Sequence, residues 1–181
     1  MKYLVYDMVQ CTDERVNELL PLVSEQRREY ALRYKHTFGR FCALQSWLMV
    51  EHLTGSSADW SYNQYGKPYI DGGLDFSLSH CKRAIAVAVD NCPIGIDVES
   101  IRHVDDALIA RTMNEAERAM IHEAQDTARM FTRLWTRKEA YLKWKGTGIA
   151  DDLQQVLNGV EEQGFMTIER DDYIVSIYTQ R

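Results

Sequence analysis

Long hydrophobic runs are missing from this 181-residue chain: the longest, Ala84 to Val89, has six residues, whereas a membrane-crossing helix needs roughly 20. The start, Met1-Lys2-Tyr3-Leu4-Val5-Tyr6-Asp7, meets a carboxylate before the apolar region of a secretory signal can form. These two absences predict a cytoplasmic protein with no membrane partner. A positive charge surplus is missing too, since 21 Lys and Arg face 27 Asp and Glu, for a formal net charge of -6. A general nucleic-acid binder carries a broad positive field and is thereby disfavoured, so an anionic ligand has to be met by local basic patches. Cysteine is scarce and unpatterned: Cys11, Cys42, Cys81 and Cys92 make no C-x-x-C spacing. Free thiols are expected, with neither a disulfide framework nor a zinc site. No low-complexity linker interrupts the chain, which favours two closely packed halves over independent domains.

What is present is an ordinary globular composition, 45% hydrophobic, long enough for one domain or for two small halves sharing a core. Tyr3 to Val9 reads as a strand. Thr12 caps a short helix with a Val16, Leu19, Leu20, Val23 stripe, and Ser24 caps a longer segment. There Tyr30, Tyr34, Phe41, Leu44, Leu48 and Leu53 recur at helical spacing until Gly55. After a turn-rich stretch from Asn63 to Lys67, Phe76–His80, Ala84–Val89 and Ile94–Glu99 read as strands at the centre of a sheet. Asn114 with Glu117 forms a capping pair, Asp126 caps a helix running to Gly146, and Phe165–Glu169 with Tyr173–Tyr178 closes as a hairpin. The order strand, helices, strand pair thus occurs twice. The predicted class is α+β, with two similar, pseudo-twofold-related lobes, each a small antiparallel-rich sheet packed with helices, spanning 1–92 and 93–181.

In Ile94-Gly95-Ile96-Asp97-Val98-Glu99 the strand period places Asp97 and Glu99 on one face. Carboxylates that share a side repel one another unless a divalent cation lets both ionise. In Trp135-Thr136-Arg137-Lys138-Glu139-Ala140-Tyr141-Leu142-Lys143, the residues Trp135, Glu139 and Lys143 lie four apart and stack on one helix face, where a buried tryptophan would hold them to the core. Arg129, Arg133, Arg137, Lys138, Lys143 and Lys145 surround one acid, Glu139, a local basic surplus suited to phosphates. The plainer alternative is a Glu139–Lys143 helical ion pair on a solvated basic face. Phe76-Ser77-Leu78-Ser79-His80 ends a strand with a hydroxyl and an imidazole that suit phosphate binding. Cys81 beside His80 faces the other way, so the two make a poor nucleophile and base.

Gly95-Ile96-Asp97-Val98-Glu99 and Trp135-x-x-Lys138-Glu139-Ala140-x-x-Lys143 together resemble the two signature motifs of the 4′-phosphopantetheinyl transferase superfamily. Gly66-Lys67-Pro68-Tyr69 and Phe76-x-Leu78-Ser79-His80 are similar to further landmarks of its single-chain, surfactin-synthetase-activating type. The resemblance implies Mg²⁺ held by Asp97, Glu99 and Glu139, with coenzyme A as co-substrate. It puts Arg40 and His80 at the 3′-phosphate, Lys67 and Pro68 beside the adenine, and Ser79 and Lys143 near the phosphates. It further implies that lobe 1–92 binds coenzyme A and lobe 93–181 carries the metal site and catalytic helix, with the active site between them. The implied partner is an apo acyl or peptidyl carrier protein of fatty-acid, polyketide or nonribosomal peptide synthesis, met by a monomer. The carrier serine would attack the β-phosphorus and release 3′,5′-ADP, with Glu139 or Lys143 taking its proton. Cys81 stands where relatives often have a small polar residue. The rivals are a metal-dependent nuclease, which wants a lysine where Ile101 stands, and a coenzyme A or carrier-binding module without turnover.

Overall fold

The computed structural model describes residues 1–8, 11–148 and 152–180. Strand β1 is Lys2–Asp7; the expected extension to Val9 lies outside the described residues. Thr12 caps helix α1 (Asp13–Leu19) by accepting the Arg15 N–H, and a 3₁₀ turn over Leu20–Leu22 follows. Ser24 caps α2 (Glu25–Leu32) in the same way. The single long helix expected from Ser24 to Gly55 is in fact two, because the chain leaves α2 and starts α3 (Thr37–Thr54) only after His36. Tertiary bonds explain the break. The Tyr34 ring folds back over Gly39, where any Cβ would stand 2.7 Å from it. Arg40 Nε donates to the Tyr34 carbonyl at 2.9 Å, and Thr37 Oγ1 donates to Asp13 Oδ1 at 2.6 Å. Gly55 ends α3 at a φ of 70°, as a C-terminal glycine should.

The turn-rich stretch is the bend of a small hairpin, β2 (Ser61–Tyr62) with β3 (Pro68–Tyr69). Strands β4 (Asp75–His80), β5 (Ala84–Asp90) and β6 (Ile94–Ser100) follow, but they do not form the middle of one sheet. Two three-stranded antiparallel sheets occur among the described residues, ordered β1-β5-β4 and β6-β8-β7, where β7 is Phe165–Glu169 and β8 is Tyr173–Thr179. Edges β4 and β6 meet through side chains instead of a ladder. Asp75 Oδ2 accepts the Ile94 N–H at 2.7 Å, and Ser77 Oγ accepts the Ile96 N–H at 3.1 Å. Period-two polar residues on β4 thus stitch the sheets together.

Strand β5 is buried on both faces. Ile85, Val87 and Val89 join Phe41, Leu44 and Trp47 of α3 in one core, while Ala84, Ala86 and Ala88 pack on Ile94, Ile96, Val98, Val175 and Ile177 in the other. Alanine on the second face lets the two sheets approach closely. Helices α4 (Asp106–Thr112), α5 (Glu115–Glu123) and α6 (Thr127–Lys145) come next. The Asn114–Glu117 pair is a full capping box, Asp126 caps α6 and Gly146 ends it at φ 71°. Each sheet therefore runs first, last, middle strand in chain order, and each carries one long helix, α3 or α6. The result is a mixed α/β fold with antiparallel sheets.

Candidate active site

Helix α6 lies directly on β6 because Gly95 has no side chain: a Cβ there would stand 1.9 Å from the Ala140 carbonyl oxygen and 2.5 Å from the Trp144 nitrogen. This close approach sets Glu139 and Lys143 beside the acids of β6. Asp97 is 3% exposed. Its Oδ1 accepts from Ser79 Oγ and from Lys143 Nζ, each at 2.7 Å, while its Oδ2 is buried without a hydrogen-bond partner. Such an orphaned acceptor in a low-dielectric setting is costly unless something meets it.

Glu99 and Glu139 are half-buried. Burial raises the Glu99 pKa and Asp97 raises it further, against the pull of Arg102, Lys143 and the Trp135 indole N–H. Burial likewise pushes Glu139 up to about 7, with Asp97 adding to the rise, Lys143 opposing it and Glu99 contributing. The three acids are therefore close enough to disturb one another. They are not closed into a ready-made cage: among the described residues no three His, Cys, Asp or Glu side chains are gathered tightly enough to hold a metal ion as they stand. Three hard oxygen donors and one orphaned, buried carboxylate oxygen have the chemistry of a Mg²⁺ site.

A cleft of ≈ 250 Å³ opens beside this group, lined by Tyr65, Gly66, Lys67, Pro68, Glu139 and Lys143 among others. Lys67 is fixed there by Asp75 Oδ2 at 2.8 Å and the Ile94 carbonyl at 3.2 Å. Asn63 Nδ2 donates to the Gly146 carbonyl at 3.1 Å, so the β2–β3 bend sits on the end of α6. Arg40, Ser79 and His80 do not line the cleft. Ser79 is buried against Asp97. His80 is at the solvent-exposed end of β4 with Phe38 5.8 Å away, and its pKa is lowered by desolvation and by Lys143. Arg40 sits in the first turn of α3, bonded to Tyr34.

The expected phosphate-facing basic surplus on α6 is largely spent on protein partners. Arg129 and Arg133 pair with Glu169, Arg137 pairs with Glu162, and Lys138 pairs with Glu117 at 2.8 Å. Lys143 is the member that lines the cleft. Trp135 is half-buried instead of sealed in the core, stacked on Phe131 with centroids 6.2 Å apart. Spacing along one helix fixes which residues share a face, and it leaves open which acids of other elements meet them. Sequence reasoning also missed Asp75, which holds Lys67, and read Glu117 only as a capping residue, not as the partner of Lys138. The alternation Asp75, Ser77, Ser79 on β4 was a signal for the first. Cys11, Cys42, Cys81 and Cys92 are all free thiols.

A family model described as the 4′-phosphopantetheinyl transferase superfamily matches residues 93–180, which hold β6, α6 and all three acids. The chain is 27% identical to a 4′-phosphopantetheinyl transferase of Bacillus pumilus over 88% of its own length and 73% of that protein. It is 25% identical to the 4′-phosphopantetheinyl transferase Sfp of Bacillus subtilis (strain 168), over 94% of this chain and 81% of that one. Residues 93–180 thus match the 4′-phosphopantetheinyl transferase superfamily, and the chain is similar along most of its length to enzymes of that name. A further phosphopantetheinyl transferase relative, from Aneurinibacillus migulanus, is 27% identical over 74% of this chain, which spans 60% of that protein.

Proposed function

We propose that this chain moves the 4′-phosphopantetheine group of coenzyme A onto a serine of an apo acyl or peptidyl carrier protein, with Mg²⁺, and releases 3′,5′-ADP. The observation that carries the reading is that Asp97, Glu99 and Lys143 act electrostatically on Glu139, while Glu139 and Lys143 line a cleft bounded by Gly66, Lys67 and Pro68. Asp97, Glu99 and Glu139 would hold the cation, which when bound neutralises pyrophosphate charge and lets the three acids ionise together. Lys143 supplies a positive charge to the breaking pyrophosphate. Glu139 takes the proton as the serine Oγ forms its bond to the β-phosphorus and the bond to the departing 3′,5′-ADP oxygen breaks. Glu139 lines the cleft and is the carboxylate placed to take that proton, whereas Lys143 is already donating to Asp97.

In this reading the halves 1–92 and 93–181 are pseudo-twofold-related lobes, the first binding coenzyme A and the second carrying the metal ligands and the catalytic helix. The repeated first-last-middle strand order supports it. Lys67 and Pro68 meet the adenine, Arg40 and His80 the 3′-phosphate, and Lys143 the pyrophosphate, in a cytoplasmic monomer. No helix is long and apolar enough to cross a membrane among the described residues. A groove next to Glu99, with Arg102 and Arg111 on an apolar floor of Val104, Leu108 and Trp135, suits an acidic carrier helix.

The test is direct: coenzyme A, Mg²⁺ and an apo carrier are incubated with the enzyme, and the carrier mass is measured. A gain of one phosphopantetheine that disappears in Glu139→Gln is the expected result. Binding of coenzyme A with no mass gain across a panel of carriers would reduce the protein to a binding module.

A further inference from the structure

Three polar residues of β4, Asp75, Ser77 and Ser79, are buried or partly buried along the strand's meeting line with β6. The first two accept backbone N–H groups across the seam, from Ile94 and Ile96, and Asp75 also holds Lys67. Ser79 differs. Its hydroxyl donates to the Asp97 side chain, Oγ to Oδ1 at 2.7 Å. A serine has a single proton to donate, so one given to Asp97 is not available to a phosphate oxygen. Lys143 Nζ reaches the same Oδ1 and, at 3.4 Å, the Leu78 carbonyl. Both donors converge on one oxygen and leave Oδ2 buried and unpartnered.

We propose that Ser79 is a positioning residue for the metal-binding carboxylate: it anchors Asp97 through Oδ1 so that Oδ2 is presented to a divalent cation. The inference rests on the metal-dependent reading given above and departs from the phosphate contact that resemblance implies for this serine. The chemistry favours it on two counts. Lys143 has a second duty, to the pyrophosphate, and when it turns to that duty Ser79 is the donor that stays on Asp97. Ser79 is 8% exposed, so its hydrogen bond is little weakened by competing water. Outer hydrogen-bond partners of this kind orient a ligand and raise its affinity for metal.

The test uses Mn²⁺ as a spectroscopic substitute and measures its binding without coenzyme A or carrier, for the full chain and for Ser79→Ala, Ser79→Cys, Ser79→Thr and Ser77→Ala. Loss of the donor should weaken Mn²⁺ binding about tenfold or more in Ser79→Ala. Ser79→Thr should retain the wild-type affinity, with the weak donor of Ser79→Cys in between, so a folding failure of one variant leaves the order readable in the others. Ser77→Ala should lower the Tm and leave Mn²⁺ affinity alone. At saturating metal the KM for coenzyme A should be unchanged in Ser79→Ala. The inference is overturned if the wild type and Ser79→Ala bind Mn²⁺ equally well, or if the alanine variant shows a raised KM for coenzyme A with metal affinity intact. Absence of Mn²⁺ binding in the wild type itself overturns the underlying metal reading, and this inference with it.

Discussion

Gly95 lies so close beneath Ala140 that the two are in backbone contact, with no room for a single methyl group between strand and helix. Gly95→Ala should therefore push α6 off β6. Overpacking of this severity costs on the order of 3 kcal/mol or more, and it displaces Glu139 and Lys143 at the same time. Urea unfolding and carrier modification should fall together. A variant with wild-type stability would mean that the helix rides higher than described.

Glu139 predicts an unusual pH dependence. Folding raises its pKa from 4.5 to about 7, so across that window the folded state binds more protons at this site than the unfolded state. The stability it contributes is complete below the unfolded value and is lost as pH rises through about 7. Glu139→Gln cannot ionise. In metal-free buffer the glutamine variant should gain in stability relative to the wild type between about pH 5 and pH 8, and Mg²⁺ should reduce that gain. Parallel melting curves with and without Mg²⁺ check this, and a flat difference across the range contradicts it.

Lys138 and Glu117 form an ion pair almost wholly shut off from water, with side-chain exposures of 0% and 8%. Lys138 also donates to the Leu153 carbonyl at 2.7 Å, and Glu117 Oε2 accepts the Asn114 N–H at 2.8 Å. One carboxylate thus joins the cap of α5 to α6. Removing it in Glu117→Ala strands a buried ammonium and should cost about 3–5 kcal/mol. The double change Glu117→Leu with Lys138→Met should recover most of the loss in denaturant unfolding. Failure to recover would show that the pair has a further role that packing does not replace.

Arg102 and Arg111 flank the groove next to Glu99. If an acidic carrier docks there, reversing both charges should raise the KM for the carrier by about tenfold with kcat little changed, and the wild-type KM should climb with salt while the variant's does not. Steady-state assays at two ionic strengths separate this from a general loss of fold.

The helix ends were plain in the sequence because caps are local chemistry. Thr12, Ser24, Asn114 and Asp126 each accept the N–H expected of them, and Gly55 and Gly146 take the left-handed conformation that ends a helix. That Asp97 shares a strand face with Glu99, and Glu139 a helix face with Lys143, was legible for a similar reason, while the approach of the two faces was implied only by the resemblance of the motifs. Long-range pairing was hidden. Nothing near Tyr34 marks the break between α2 and α3, because the bonds that compensate for it come from Arg40 and, through Thr37, from Asp13. The α6 cations read as a phosphate face until Glu117, Glu162 and Glu169 met them from distant segments.

The seam between β4 and β6 gives the molecule an interlock. Its last stitch, Ser79 to Asp97, also fastens a carboxylate of the candidate site, so under the proposed function the halves cannot breathe apart at that end without disarming it. Cohesion and competence would then be lost in one event, and partial opening would yield a silent enzyme before it yielded an unfolded one.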